Sequence, residues 1–160
     1  MSDLAELDRI DRAILVQLAK NARATNKEVA GEVGLSQSAC LERIRRLVNR
    51  GVVRGWHADV APEAFGIGVR AMVSIQLKKH TRAAVARFEA AVLDVPQVVA
   101  LYHTTGQTDF LAHVVARDMD QLRDFTLDAI TSLPQTSRVE TSLIFRSTEK
   151  RSWPDLQGDA

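Results

Sequence analysis

Hydrophobic residues recur at helical spacing through the first fifty positions. Residues 7–18 place apolar side chains three or four positions apart, which predicts an amphipathic helix. Thr25 and Glu28 have the spacing of a capping box, so a second, short helix is expected, with Gly34 at its end. Ser36 is the expected N-cap of a third helix. Helices separated in this way by a glycine-containing turn are typical of a helix-turn-helix.

The third predicted helix has two unlike faces and ends at Gly51. At 100° per residue, one face is apolar and is expected to point into the core: Cys40, Leu41, Ile44, Leu47 and Val48. The opposite face is polar and mostly basic: Ser38, Ala39, Glu42, Arg45, Arg46, Asn49 and Arg50. Such a basic face, following the turn, is where a helix-turn-helix protein reads DNA.

The periodicity changes after Gly51. Apolar residues between 52 and 60 predict an extended segment or a small wing. Pro62, Gly66 and Gly68 then indicate a boundary between two domains, which we expect at 1–61 and 62–160.

The second half alternates strand and helix patterns. The predicted elements are a strand at Val69–Leu77, a helix at Ala83–Leu93, strands at Val98–Thr105 and Thr108–Ala116 joined at Gly106 and Gln107, a helix at Asp118–Leu133 and a strand at Val139–Phe145. The order βαββαβ predicts a ferredoxin-like arrangement. The fold class is therefore α+β, a winged helix-turn-helix domain followed by a ferredoxin-like domain. Helices on one side of a sheet leave its other face to be covered, which favours self-association.

Composition narrows the class of protein. The 160 residues are 46% hydrophobic and 26% charged, as in soluble globular proteins. No membrane span or signal peptide is expected, so we expect a cytoplasmic protein without a membrane partner. A single cysteine, Cys40, excludes an intramolecular disulfide and is expected to be a buried, inert thiol.

The small net charge of +1 is unevenly distributed. Residues 1–55 contain ten Lys/Arg and seven Asp/Glu, whereas residues 56–160 contain eleven and thirteen. Five of the basic residues are arginines within 36–54, where Glu42 is the one acid. A compact arginine cluster on a mildly acidic chain indicates one basic working surface.

These patterns carry a family resemblance. The runs Leu7-Asp8-Arg9-Ile10-Asp11-Arg12, Asn26-Lys27-Glu28-Val29-Ala30, Val33-Gly34-Leu35-Ser36 and Cys40-Leu41-Glu42-Arg43-Ile44-Arg45-Arg46-Leu47 resemble the Lrp/AsnC, or feast/famine, transcriptional regulators. The turn Gly106-x-x-Asp109-Phe110-Leu111 is similar to one in that family's effector domain. The resemblance covers roughly Leu4 to Lys150.

The resemblance implies a DNA-binding regulator whose partners are double-stranded DNA, a small-molecule effector, in most cases an amino acid, and further copies of itself. Dimers that assemble into octamers are expected, and no cofactor. Two positions depart from the family pattern. The hairpin has Gln107 where an acid is common, which changes what an ammonium group would meet, and Trp56 follows Gly55 where tyrosine is usual.

Two sets of site residues follow. The candidate DNA-binding residues are Asn26, Gln37, Ser38, Glu42, Arg43, Arg45, Arg46 and Arg50. Among them Gln37, Ser38 and Glu42 are expected to read bases, and Arg43, at the edge of the apolar stripe, is the arginine expected to be structural. The candidate effector-binding residues are Thr104, Gly106, Gln107, Thr108, Asp109 and Ser142, with Asp109 expected to face an α-amino group.

Other interpretations stay open at this point. The arginines also fit a solvated helix face, and Gly106 fits an ordinary hairpin turn. An architectural DNA-binding protein without an effector is the main alternative, and a small enzyme is a third, although no catalytic motif is found. The four histidines and the series Asp120, Asp124 and Asp128 fit ordinary strand and solvent-exposed positions better than metal sites.

Overall fold

The computed structural model describes residues 7–148, which form two compact units that divide between Asp59 and Val60. Each unit has its own apolar core. Within the described residues, no helix combines the length and the apolar character needed to cross a membrane.

The first unit is built from three helices, and the predicted helix-turn-helix is present. The helices are α1 (Arg9–Lys20), α2 (Asn26–Glu32) and α3 (Gln37–Asn49). Their shared core consists of Ile14, Leu18, Val29, Ala30, Cys40 and Leu47. Gly34, with φ of +68°, makes the turn between α2 and α3, a backbone conformation that glycine adopts at little cost.

The predicted helix caps are confirmed. The hydroxyl of Thr25 accepts a bond from the backbone N–H of Glu28, and the Glu28 carboxylate accepts one from the N–H of Thr25 at 2.7 Å. Ser36 accepts from the N–H of Ala39 at the start of α3. These bonds satisfy N–H groups that have no partner within a helix.

The end of α3 is closed by the left-handed residue Gly51, with φ of +69°. Its N–H donates to the carbonyl of Val48, and the N–H of Val52 donates to the carbonyl of Leu47. This pair of bonds is a Schellman motif, which ends the helix and directs the chain away from it.

The apolar stripe of α3 is narrower than predicted. Cys40 and Leu47 are buried and Ile44 packs against the core, but Leu41 and Val48 remain exposed. The expectation that all five face the core is wrong, because α1 and α2 cover only one side of this 13-residue helix.

The second unit has the predicted order of elements. After a 3-10 turn at Pro62–Phe65 come β1 (Val69–Leu77), α4 (Arg82–Leu93), β2 (Val98–His103), β3 (Phe110–Ala116), α5 (Met119–Phe125) and β4 (Thr136–Leu143). The strands form one antiparallel sheet in the order β2-β3-β1-β4. This is the split βαβ arrangement expected of a ferredoxin-like domain.

The two faces of the sheet differ in what covers them. Alternate residues of the central strands β1 and β3 pack with α4 and α5 in the core, where the rings of Phe88 and Phe110 lie 4.9 Å apart. The intervening residues, among them Met72, Leu111 and His113, point to the other face, which no helix of this unit covers.

Four predicted strand ends are wrong. The hairpin strands stop at His103 and resume at Phe110, because side-chain bonds hold residues 104–109 in a loop. The last strand runs over Thr136–Leu143 instead of Val139–Phe145. Its start is polar in sequence, yet Thr136 is buried and donates to the carbonyl of Ile130.

The second predicted helix of this unit, Asp118–Leu133, changes type along its length. It is α-helical over Met119–Phe125 and π-helical over Thr126–Thr131. The Thr131 hydroxyl donates to the carbonyl of Thr126, five residues earlier. Threonines in a helix can divert its hydrogen bonds in this way, which hydrophobic periodicity does not reveal.

Gly68 lies where the chain enters β1, and its N–H donates to the carbonyl of Ala116. A Cβ atom at this position would lie 2.4 Å from the carbonyl oxygen of Arg117. Gly68→Ala should therefore lower the free energy of unfolding by about 1–3 kcal/mol, measured by urea denaturation. Gly31→Ala is the matched control, because open space surrounds that helical position and alanine should stabilise it by up to about 1 kcal/mol. Equal effects of both changes would contradict this account.

Candidate functional site

One side of α3 presents a polar surface to solvent. Gln37 and Ser38 are exposed in its first turn, and Glu42, Arg45 and Arg46 are exposed along the next two turns. Arginine and amide side chains at these positions can donate to phosphate oxygens and base edges. We call this surface, formed by Gln37, Ser38, Glu42, Arg45 and Arg46, the α3 polar face.

A buried carboxylate fixes α3 against α1. The side chain of Asp11 is 3% exposed, and its Oδ1 accepts bonds from Nη1 of Arg43 at 2.8 Å and from Nη2 of Arg46 at 3.4 Å. The same Nη1 of Arg43 contacts Oδ2 of Asp8 at 2.5 Å. A buried carboxylate is costly unless donors compensate it, so the Asp11 site requires both helices to keep their relative position.

Asp8 has a second role as the N-cap of α1. Bonding from the backbone N–H of Asp11, and then from Arg43, lowers the pKa of the Asp8 carboxyl below its ordinary value of 3.8. Asp8 therefore contributes to stability when it is ionised, and this contribution is lost as the pH falls through the lowered pKa. The same contacts with Asp8 and Asp11 raise the pKa of Arg43, which stays charged.

The arginines of α3 therefore divide by environment. Arg43 is held by two carboxylates and acts within the unit, as its place at the edge of the apolar stripe suggested. Arg46 is half exposed and makes a long contact with Asp11, whereas Arg45 is exposed. Arg50 is half-buried and is the C-cap residue of α3.

Asn26 is placed differently from the other candidate DNA-binding residues. It is the first residue of α2, and its Nδ2 donates to the backbone carbonyl of Gln37 at 2.8 Å. The bond joins the start of α2 to the start of α3 across the turn. Asn26 therefore positions the part of α3 that carries Gln37 and Ser38.

The hairpin between β2 and β3 is closed by its own residues. The N–H of Thr104 donates to the carbonyl of Asp109 at 2.9 Å, and its hydroxyl donates to the carbonyl of Thr108 at 2.7 Å. Gly106, at the tip, has φ of +112°, which only glycine adopts readily. We call residues 104–109 the hairpin loop.

Asp109 fastens the hairpin loop to the end of β1. Its Oδ2 accepts from the N–H of Leu77 at 2.7 Å, and its Oδ1 lies 2.8 Å from Nε2 of His80. Its N–H donates to the carbonyl of Ile75, and the side chain of Gln76 donates to the carbonyl of Gln107. Both carboxylate oxygens of Asp109 are thus engaged within the chain, where the sequence predicted a group facing an effector.

The structure brings together five of the six candidate effector residues. Thr104, Gly106, Gln107, Thr108 and Asp109 form one loop. Ser142 lies elsewhere, on the open face of the sheet opposite Met72, three residues of β1 away from the Ile75 contact of the loop.

Two functional groups were missed in the sequence. Asp11 occupies one position of the apolar series 7, 11, 14 and 18, and an acid within such a series is a signal for a buried, paired carboxylate. His80 gave no comparable signal, because its contact with Asp109 spans 29 residues.

No metal centre is seen in the part of the chain that the structure describes. No three His, Cys, Asp or Glu side chains there are grouped as metal ligands would be, and Asp120 and Asp124 instead pair with Arg123. His103 stands opposite Phe110 and stacks on its ring at 4.5 Å. Cys40 is fully buried, and burial raises the pKa of its thiol, which keeps it unreactive.

Both units match known families. Residues 7–54 match a winged helix-turn-helix DNA-binding family, and residues 70–154 match the Lrp/AsnC ligand binding domain. The α3 polar face thus lies in a domain of the DNA-binding type, and the hairpin loop lies in a domain of the ligand-binding type.

Whole-chain relatives agree with these matches. The HTH-type transcriptional regulator AldR of Mycolicibacterium smegmatis is 40% identical over 140 residues, which cover 88% of this chain and 82% of AldR. The Bkd operon transcriptional regulator of Pseudomonas aeruginosa is 34% identical, and the alignment covers 96% of this chain and 100% of the regulator. The crystal structure of the Neisseria meningitidis regulator NMB0573, in complex with L-Met, has a TM-score of 0.87 and 31% identity, covering 95% of this chain and 99% of that one.

Arg43 and Arg45 should affect stability very differently, although both are arginines of α3. Arg43→Met leaves Asp11 buried with only the long contact to Arg46. We expect it to lower the free energy of unfolding by about 2–3 kcal/mol, less than for a fully buried pair because Arg43 is partly exposed. Arg45→Met should change it by less than about 0.5 kcal/mol. Urea denaturation followed by circular dichroism at pH 7 measures both free energies of unfolding. Similar decreases for the two variants would show that the contacts of Asp11 with Arg43 do not stabilise the unit.

Proposed function

Because this chain belongs to the Lrp/AsnC family of transcriptional regulators, we propose that it binds specific DNA sequences and that an amino acid or a related small molecule modulates this binding or the assembly of the protein. It is a DNA-binding transcriptional regulator with a ligand-binding domain, and its relatives are regulators and not enzymes. Residues 1–61 are proposed as the DNA-binding domain and residues 62–160 as the effector and oligomerisation domain.

The α3 polar face is the observation that carries the DNA-binding part of the proposal. In the proposed complex α3 enters the major groove, where Gln37, Ser38 and Glu42 read base edges. Arg45 and Arg46 contact phosphates or guanine, and release of counterions from the phosphates makes the affinity dependent on salt. Arg43 and Asn26 act indirectly, by holding α3 against α1 and α2.

Arg46 is the residue whose contacts change most in this proposal. Its 3.4 Å contact with Oδ1 of Asp11 is long for an ion pair, and the same oxygen already accepts a shorter bond from Arg43. A phosphate oxygen would offer Arg46 a shorter, charge-assisted bond, while Arg43 continues to compensate Asp11. Binding therefore leaves no buried charge unpaired.

The effector part of the proposal rests on the hairpin loop. The match of residues 70–154 to a ligand-binding family and the L-Met complex of the N. meningitidis relative support a small-molecule effector. Its position at this loop is part of our proposal. Thr104, Gly106, Gln107 and Thr108 are proposed to line the site. Asp109 is proposed to hold the loop against β1, and Ser142 is proposed to contribute from a neighbouring copy in the assembly, since it lies away from this loop within one chain.

The open face of the sheet supports homo-oligomers. It carries apolar side chains, including Met72, Leu111 and Tyr102, of which Tyr102 is 54% exposed. We propose that a second copy covers this face and that dimers assemble further, to an octamer, in the cytoplasm. An effector would shift the equilibrium between assemblies only through unequal affinity for them.

An effector-independent architectural role is the second candidate, favoured by one observation. Both oxygens of Asp109 and the carbonyl of Gln107 are already engaged within the chain. A loop closed in this way needs no ligand to be ordered. The ligand panel below separates the two functions.

Replacing Arg45 and Arg46 tests the DNA interface. DNA selected from a random duplex library by the wild-type protein serves as the probe, and affinity is measured by fluorescence anisotropy between 50 and 300 mM KCl. Each lost phosphate contact should reduce the slope of log affinity against log salt by about one, whereas a lost base contact should relax specificity. We expect Arg45→Ala and Arg46→Ala each to weaken binding at least about tenfold, in line with the ~1–3 kcal/mol of a base contact.

Arg87→Ala is the charge-matched control, because Arg87 lies on α4 in the other unit. It should leave both the affinity and the salt dependence unchanged. If the Arg45 and Arg46 variants bound DNA as tightly as the wild type, α3 would not be part of the DNA interface.

Asp109 tests the effector loop. A thermal-shift panel of the twenty amino acids and related carboxylates is expected to give at least one stabilising ligand, since a ligand at 100 times its Kd adds about 2.7 kcal/mol. Asp109→Ala removes the bonds to Leu77 and His80 and should abolish both the shift and the ligand dependence of DNA binding. A variant that keeps both properties would contradict the assignment of this loop, and a flat panel for the wild type would favour the architectural function.

A further inference from the structure

The hairpin loop leaves no carboxylate oxygen unused for an incoming ammonium group. Asp109 is the loop's one acid, and each of its oxygens already accepts a bond, from Leu77 or from His80. The carboxylate is also mostly buried, with 19% of its side chain exposed. Gln107, next to Gly106, supplies a neutral amide.

Unused backbone donors lie on the same surface. Within residues 7–148, the backbone N–H groups of residues 105–108 take part in no hydrogen bond. These four residues include Gly106, which has a positive φ at the tip of the loop. The exposed Gln107 amide adds two further N–H donors. Unused backbone donors at a turn favour an anion.

The segment that holds Asp109 is strongly basic. His80 contacts the loop directly, and Lys78, Lys79 and Arg82 flank it in the connection between β1 and α4. All four side chains are exposed. In the described part of the chain, Lys78, Lys79 and Arg82 form no ion pair with a carboxylate, whereas His80 contacts Asp109. Four basic groups within five residues thus stand beside a single acid whose oxygens are both occupied.

We propose that the effector bound at the hairpin loop is an organic acid recognised through its carboxylate, with no ammonium group required, so that a 2-oxo acid binds more tightly than the corresponding amino acid. The carboxylate accepts from the loop N–H groups and is attracted by Lys78 and Lys79. An ammonium group at the same place would be repelled by Lys78 and Lys79, and the loop's one carboxylate already accepts a bond through each oxygen. This inference rests on the proposed function, because it takes the hairpin loop as the effector site.

Matched ligand pairs test the inference directly. Each pair keeps the side chain and the carboxylate and replaces only the ammonium group by a carbonyl oxygen: L-alanine with pyruvate, L-leucine with 4-methyl-2-oxopentanoate, L-methionine with 4-methylthio-2-oxobutanoate, and L-glutamate with 2-oxoglutarate. Titrations of the melting temperature of the full chain give a Kd for every compound. For at least one pair, the 2-oxo acid should bind tenfold or more tightly than its amino acid.

Two variants with the same loss of charge identify the source of the preference. Lys78→Gln with Lys79→Gln should weaken binding of the preferred 2-oxo acid about tenfold. Lys20→Gln with Arg146→Gln, which removes two exposed cations outside the segment, should leave it unchanged. Isothermal titration calorimetry with the folded variants separates lost binding from lost stability.

The outcomes distinguish this inference from the function on which it rests. Amino acids that bind as tightly as their 2-oxo acids, or lysine variants that bind normally, would overturn the inference and leave an effector-responsive regulator. If none of the eight compounds stabilises the protein, the inference is overturned. If the panel of twenty amino acids is flat as well, the proposed effector site is overturned with it.

Discussion

Taking a carboxylate out of water is expensive, and both units of this protein contain one whose compensation dictates local geometry. In the first unit Asp11 requires Arg43 from α3, so α3 cannot rotate on α1 without leaving a buried charge unpaired. In the second unit Asp109 requires the N–H of Leu77 and the ring of His80, so the hairpin loop cannot separate from β1. The surfaces proposed to meet DNA and ligand are thus held by charge compensation, whereas the apolar cores hold the elements behind them.

The two sites differ in how that compensation relates to function. Arg43 provides the shorter bond to Asp11 from inside the unit, which leaves Arg45 exposed and Arg46 half exposed with only a long contact to Asp11. The hairpin loop instead uses its one acid internally and leaves backbone donors and the cations of 78–82 at the surface. One unit therefore presents cations suited to phosphate, and the other presents donors suited to a small carboxylate. Both proposals follow from which groups remain after the internal bonds are made.

The fold was largely predictable from local signals. Caps at Thr25 and Ser36, the glycine turn and the alternation within β1 and β3 each depend on residues close in sequence, and all appear in the structure. The predictions that failed depend on distant contacts. Leu41 and Val48 are exposed because only one side of α3 is covered, and the early start of β4 depends on Thr136 bonding to Ile130. The candidate loop could be found from its glycine and acid, but the engagement of Asp109 by His80 could not, since no periodicity connects residues 29 positions apart.

The bond from Asn26 to α3 ends on a main-chain oxygen, that of Gln37, and not on its side chain. Every amino acid has that oxygen, so the start of the recognition helix is held at the same place whatever residue occupies position 37. Side chains at 37 and 38, which are proposed to read bases, can then be exchanged without rebuilding the contact between the two helices. Copies of this chain that differ only at these two positions would therefore keep the same joint between α2 and α3.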